Sequence, residues 1–348
     1  MKSTKLALSG LALLTVIGCG QNTPTFSFLP TENTFQQKGD EINNRIDVLW
    51  VIDNSGSMDT SQQNVANNFT AFISDFVTKG YDFQIAVTTT DAYLATFNSD
   101  PSLAEFRDGV SGSPTGHKII TPNTPDLINT FMGNILQGTS GYGDERGMQS
   151  LKEALNSSLN AGFLREDSFL AIIIVSDEDD FSHDTAAFRQ GQYNYSGLHT
   201  PQSYLEYLET LTNSSGSTKR FSVNAIHIWD DQCLNDLNLT WSGRSKGIRY
   251  GELVDLAGGV KGSLCDDFAT TLQDISVNIA QLSTQFFLNR DPDVSTIKVF
   301  IDQVEVTNDS TNGWTYSQDA NSIVFHGDAI PPQGSTIHVA FDPVSLVE

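Results

Sequence analysis

Two kinds of apolar run alternate along the chain, and their order is the first guide to its fold. Val48-Leu49-Trp50-Val51-Ile52 is unbroken, and so is the apolar heart of Ser168 to Ser176 (SFLAIIIVS). Neither shows the every-second-residue polarity of a strand that faces water. Such runs suit strands buried on both faces, as in a parallel sheet covered by helices. Within Gln62 to Lys79 the pattern changes. Val65, Phe69, Phe72, Ile73, Phe76 and Val77 fall at i, +4, +7, +8, +11 and +12, which is one face of a helix, and Gly80 is placed to end it. Tyr81 to Thr90 alternates at Phe83, Ile85 and Val87 and predicts a strand nearer the sheet edge.

Further helices are predicted over 126–136, 145–159, 201–212, 250–257 and 266–284. Arg220 to Trp229 reads as another strand, and the glycine-, proline- and serine-rich residues 91–124 as short strands in a long loop. Strand and helix alternating in this way means parallel βα units. The expected fold over 45–285 is therefore α/β, a doubly wound, mostly parallel sheet flanked by helices. From Phe286 the period shortens. Ile297/Val299/Ile301, Val304/Val306, Trp314/Tyr316, Ile323/Phe325 and Ile337/Val339/Phe341 alternate between turn residues such as Asn312-Gly313 and Pro331-Pro332. Residues 286–348 thus predict a small all-β, sandwich-like domain, too short for seven strands and expected to lean on its neighbour.

The N-terminus does not belong to either pattern. Lys2 and Lys5 precede an apolar stretch, Leu6 to Ile17, that is too short to span a bilayer stably. It ends in Val16-Ile17-Gly18-Cys19, which resembles the lipobox of bacterial lipoproteins. The resemblance implies a signal peptide over 1–18 and a lipid-modified Cys19. A plain secretory signal with an incidental cysteine is the other reading. Gly20, in place of the Asp that retains such lipoproteins in the inner membrane, points to an outer-membrane, cell-envelope location. Residues 19–44, rich in Gln, Asn, Thr and Pro, read as a flexible tether.

Charge narrows the partners. With 42 Asp+Glu against 19 Lys+Arg the chain carries −23, which excludes nucleic acid or anionic lipid as a direct partner and leaves the membrane to the lipid anchor. Cys233 and Cys265 remain. In an oxidising compartment an even pair most simply forms one disulfide, with two buried free thiols as the alternative.

The candidate chemistry lies where the buried strands stop. After Ile52 comes Asp53-Asn54-Ser55-Gly56-Ser57, a carboxylate and two hydroxyls at i, i+2 and i+4, on the sheet edge where open α/β folds bind ligands. These oxygens suit a hard cation, Mg²⁺ or Mn²⁺, and not zinc or copper. A polar helix cap is the plainer alternative. Asp-x-Ser-x-Ser after a buried strand and before an amphipathic helix closely resembles the metal-ion-dependent adhesion site of von Willebrand factor type A domains. The order of elements over 45–285 looks like that fold, and the acidic strand end and late cysteine resemble its bacterial lipoprotein branch. The resemblance implies a set of Asp53, Ser55, Ser57, Thr139 and Asp177. Thr139 matches the second-loop threonine, with Ser140 able to substitute, and Asp177 matches the third-loop aspartate. The hydroxyls leave the ion under-neutralised, with one position open for an Asp or Glu side chain of a partner protein. Glu178, Asp179 and Asp180 are either a second site, for Ca²⁺, or a solvated loop.

The enzyme readings fail on pattern. An aspartyl-phosphate mechanism needs a carboxylate two residues beyond Asp53, where Ser55 stands. Gly243-Arg244-Ser245-Lys246-Gly247 matches GxSxG but follows no buried strand. Gly138 to Gly143 lacks the Lys-Ser/Thr of a nucleotide-binding loop. The expectation is a non-enzymatic envelope lipoprotein that binds protein through a cation. The alternative is a scaffolding protein whose β-domain makes the contacts and whose metal only stabilises the fold.

Overall fold

The computed structural model describes residues 35–41, 45–110, 112–214 and 218–344. The predicted signal peptide, Cys19 and the first part of the tether lie outside these. The elements run β1 (Phe35–Glu41), β2 (Arg45–Ile52), α1 (Asp59–Thr78), β3 (Asp82–Thr89), α2 (Leu94–Asn98), β4 (Ile119–Ile120), α3 (Leu127–Ile135), α4 (Gly147–Asn156), β5 (Phe169–Val175), α5 (Pro201–Leu211), β6 (Phe221–His227), α6 (Asp231–Asn238), α7 (Ile248–Ala257), β7 (Lys261–Ser263) and α8 (Phe268–Ser283). Then come β8 (Phe286–Phe287), β9 (Lys298–Ile301), β10 (Val304–Val306), β11 (Trp314–Ser317), β12 (Ser322–Phe325) and β13 (Thr336–Phe341).

Six strands form the central sheet in the order β4-β3-β2-β5-β6-β7, all parallel except the edge strand β4. This is the doubly wound α/β fold, and the unbroken apolar runs have a direct cause. Alternate residues of each strand feed two separate cores. On β2, Ile46, Val48, Trp50 and Ile52 pack with α1, α3 and α8, while Leu49 and Val51 pack with α4, α5 and α7. On β5, Phe169, Ala171, Ile173 and Val175 take the first side and Leu170, Ile172 and Ile174 the second. Covering both faces removes the need for polar positions. Helix α6 is not anticipated by apolar periodicity; Asp230 caps it by accepting from the Cys233 N–H at 2.9 Å. Cys233 and Cys265 form a disulfide, which ties α6 to the turn after β7.

The C-terminal region is all-β, with two antiparallel sheets in the orders β1-β13-β9-β10 and β11-β12-β8. Its first sheet holds a correction to the composition reading. Residues 35–41, assigned to the tether, form β1 and pair with β13, Phe35 opposite Phe341. The β region packs against the end of the α/β unit where β3 begins. Lys79 Nζ donates to the Ile330 carbonyl and Tyr81 Oη to the Pro331 carbonyl, each at 3.1 Å. Ile275 and Ile279 of α8 share one core with Trp314, Ile323 and Phe325. An eight-residue strand such as β3 is roughly 26 Å long, so the β region sits about that far from the edge where β2 and β5 end.

Candidate functional site

At the end of β2 the Asp53 N–H still donates to the Val175 carbonyl of β5 (2.9 Å), so the first loop leaves the sheet from a fixed point. Asp53 is fully buried. Its Oδ1 accepts the Ser55 N–H at 2.7 Å, a local turn that Asp favours, and its Oδ2 accepts the Ser176 hydroxyl at 2.7 Å. That turn lifts the two serine hydroxyls to one side, 3.4 Å apart. Ser57 Oγ also donates to Asp177 Oδ1 at 3.0 Å, across a gap of 120 residues in sequence.

The glycine-rich second loop docks onto the first. Gln62, from the first turn of α1, donates through Nε2 to the carbonyls of Asp53 and Gly138, both at 2.9 Å, and its Oε1 accepts the Gly138 N–H at 3.1 Å. Three residues on, the Gly141 N–H donates to the Asn54 carbonyl at 2.7 Å. A Cβ on Gly141 would lie 2.5 Å from the Asn54 side chain, so a larger residue here would have to push that side chain aside. Thr139, half-buried, sits between these two anchor points. The structure therefore brings Asp53, Ser55, Ser57 and Asp177 into direct contact and seats the loop carrying Thr139 against them.

The next three acids diverge. Glu178 is paired with Gln190 Nε2. Asp179 Oδ1 accepts the N–H groups of Asp180 (2.9 Å) and Arg249 (3.0 Å). Asp180 turns to the start of α4, accepting from the Met148 N–H at 2.9 Å and from Ser182 N–H and hydroxyl at 3.0 and 2.8 Å. Among the described residues no three acidic, histidine or cysteine side chains gather as a metal cluster. Glu178, Asp179 and Asp180 thus do not meet as one site. His183 is buried and spent on backbone, with its ring nitrogens 2.7 and 2.9 Å from the carbonyls of Phe181 and Ala187. Ser245 lies in the loop between α6 and α7, where its Oγ accepts the Asp179 N–H at 2.9 Å.

The electrostatics are those of too many carboxylates with too little water. Burial first, then the Asp177 charge, pushes Asp53 up to about 7. Burial, with the charges of Asp53 and Asp177, pushes Glu178 up to about 8. Glu145, which the sequence pattern leaves unremarked, is fully buried just before α4. Its Oε2 accepts the Thr90 hydroxyl at 2.6 Å and its Oε1 has no partner, so burial and the Asp53 charge hold it well above the usual range. Positive charge enters from Arg244, whose Nε donates to Asp177 Oδ2 at 2.5 Å.

These donors fit a hard cation. Two oxygens at right angles, each about 2.1 Å from Mg²⁺, lie about 3.0 Å apart. The Ser55–Ser57 and Ser57–Asp177 separations, 3.4 and 3.0 Å, are close to that spacing. Asp53, turned back into its own hydrogen bonds, would act through water.

A scan of the sequence against known protein families finds no match, and neither does a search of curated proteins. Solved structures do resemble the fold. The open conformation of the pilus adhesin SpaC from Lactobacillus rhamnosus GG aligns with a TM-score of 0.41 and 13% identity, over 88% of this chain and 40% of that one. Proximal thread matrix protein 1 from the mussel byssus aligns at 0.38 and 14%, over 73% of this chain and 51% of that one. The pilus adhesin RrgA from Streptococcus pneumoniae aligns at 0.29 and 9%, over 88% and 58%. The chain thus spans about half the length of the proteins it matches.

Proposed function

We propose that this chain is an envelope lipoprotein of the von Willebrand type A kind, which binds another protein through Mg²⁺ or Mn²⁺. Ser55, Ser57 and Thr139 would hold the ion directly, with Asp53 and Asp177 neutralising it, largely through water. The ion supplies Lewis-acid affinity for a carboxylate. The protein's own part is to hold neutral hydroxyls nearest the ion, so that an Asp or Glu of the partner is the strongest ligand on offer. One observation carries this reading: two loops distant in sequence bring the Ser55 and Ser57 hydroxyls to 3.4 Å from each other and Ser57 to 3.0 Å from the Asp177 carboxylate, at the carboxyl edge of the sheet. No reaction is assigned to the chain. Lipidation of Cys19 and placement at the outer membrane belong to the same proposal. Isothermal calorimetry with MgCl2 and MnCl2, on wild type and Asp53→Ala, tests the site. One ion bound by the wild type and none by a folded variant is expected. Capture of an envelope protein that is lost in EDTA and lost in the variant tests the function. Capture that survives both would point to the β region as the binding surface.

A further inference from the structure

The stretch Gly243 to Gly247 belongs to none of the three loops, yet it places a cation of its own in the candidate site. Arg244 has a side chain only 7% exposed, and that of Asp177 is 2% exposed. Besides the bond from Nε to Asp177 Oδ2, Arg244 Nη2 donates to the Ser57 carbonyl at 3.2 Å. Its Nη1 donates to the carbonyls of Leu237 and Trp241, the latter at 3.2 Å. One guanidinium therefore touches two of the five residues assigned to the ion and closes its own loop over them. The planar guanidinium fork matches a carboxylate. Arg244 gives Asp177 the positive charge that a divalent ion would give.

The segment that carries it is tied to its surroundings at a few points. It lies between α6 and α7, and two of its side chains, Leu239 and Trp241, are 85% and 57% exposed. The start of helix α6 before it is held by the Cys233–Cys265 disulfide, and its far end by the Gly247 N–H on the Ile228 carbonyl at 3.1 Å. Between them, the Ser245 N–H donates to the Asp177 carbonyl at 3.0 Å.

We propose that Arg244 is a built-in competitor for the candidate cation site, so that guanidinium and divalent ion take the Asp177 carboxylate in alternation and ion entry swings residues 239–245 outward. The inference rests on the cation reading given above. Two positive groups sharing one buried carboxylate repel strongly in so dry a setting, and the coupling is reciprocal: the ion loosens Arg244 as much as Arg244 weakens the ion.

The test uses the full chain with MnCl2 as the probe, by calorimetry on wild type, Arg244→Gln and Arg244→Lys, with amide hydrogen exchange alongside. Arg244→Gln is expected to bind Mn²⁺ at least tenfold more tightly than wild type. Arg244→Lys, which keeps the charge and loses the fork, should gain less. In the wild type, saturating Mn²⁺ should speed exchange across residues 239–245. Equal affinities in all three folded proteins, or exchange there that is unchanged or slowed, would overturn the competition while leaving the cation site standing. No Mn²⁺ binding by wild type or Arg244→Gln at millimolar ion would overturn both. If Arg244→Gln does not melt cooperatively, the wild-type exchange result decides.

Discussion

The side chain of Gln62 and the backbone of Gly138 are joined by two hydrogen bonds, Nε2–H to the carbonyl at 2.9 Å and N–H to Oε1 at 3.1 Å. The primary amide mimics a strand, and its third bond, to the Asp53 carbonyl, ties the first loop to the second. Gln62→Leu keeps the bulk and deletes all three, leaving the buried Asp53 carbonyl unpaired and Gly138 untethered. Such loss costs about 1–3 kcal/mol. Chemical denaturation should show a deficit in that range, and calorimetry a loss of at least about tenfold in Mg²⁺ affinity, since Thr139 loses its anchor. Unchanged affinity would mean Thr139 takes no part.

The acid-rich site makes stability depend on pH in a definite direction. Asp53 is raised from 3.8 to about 7 and Glu178 from 4.5 to about 8, each chiefly by burial. A carboxyl with a raised folded pKa holds its proton more tightly folded than unfolded. As pH rises the unfolded chain ionises first, so the folded state loses ground between about pH 4 and pH 8. In EDTA the melting temperature should be higher at pH 5 than at pH 8, by about 5 °C or more. Mg²⁺ should recover most of the difference at pH 8 and little at pH 5, where protons hold the same oxygens. A flat or rising profile in EDTA would contradict this account.

At the far end of the sheet lies a pair with no part in the site. Asp47 is fully buried and accepts from the Arg165 N–H and Nε, both at 2.8 Å. Removing one partner of a buried pair leaves a stranded charge, a loss of about 3–5 kcal/mol. Arg165→Ala should therefore unfold at clearly lower urea, and adding Asp47→Asn should restore part of the loss. Cation affinity should be the same in both.

The disulfide closes a loop of 32 residues. Chain entropy alone assigns such a loop about 3–4 kcal/mol. Cys233→Ser with Cys265→Ser should lower stability by up to that amount, read from denaturant midpoints with and without reductant.

Much of this architecture could be read from the chain because it is written in burial. The runs of β2 and β5 are apolar on both faces since each face meets helices, and the stripe on α1 marks its buried side. The Asp-x-Ser-x-Ser loop was legible as a polar turn at the end of a buried strand, and the structure sets its Ser57 hydroxyl against Asp177. Gln62 was not: one glutamine on an amphipathic helix looks like a solvent position, and only the folded loops reveal its target. Arg244 sits in a polar, glycine-flanked stretch without period, so nothing local tells that its side chain is buried. Glu145 is hidden in the same way, since an acid just ahead of a helix is an ordinary first-turn residue. Strand β1, FQQKGDE, is polar and pairs through backbone with residues about 300 positions away, a register that no local pattern encodes.

That last pairing has a mechanical meaning. Only residues 42–44 separate β1 from β2, whose far end carries Asp53. A pull on the chain before Phe35, resisted by a ligand at Asp53, runs along one central strand. The covalent backbone of that strand carries the load between the two points, and ladders of eight residue pairs with β3 and seven with β5 keep it seated in the sheet.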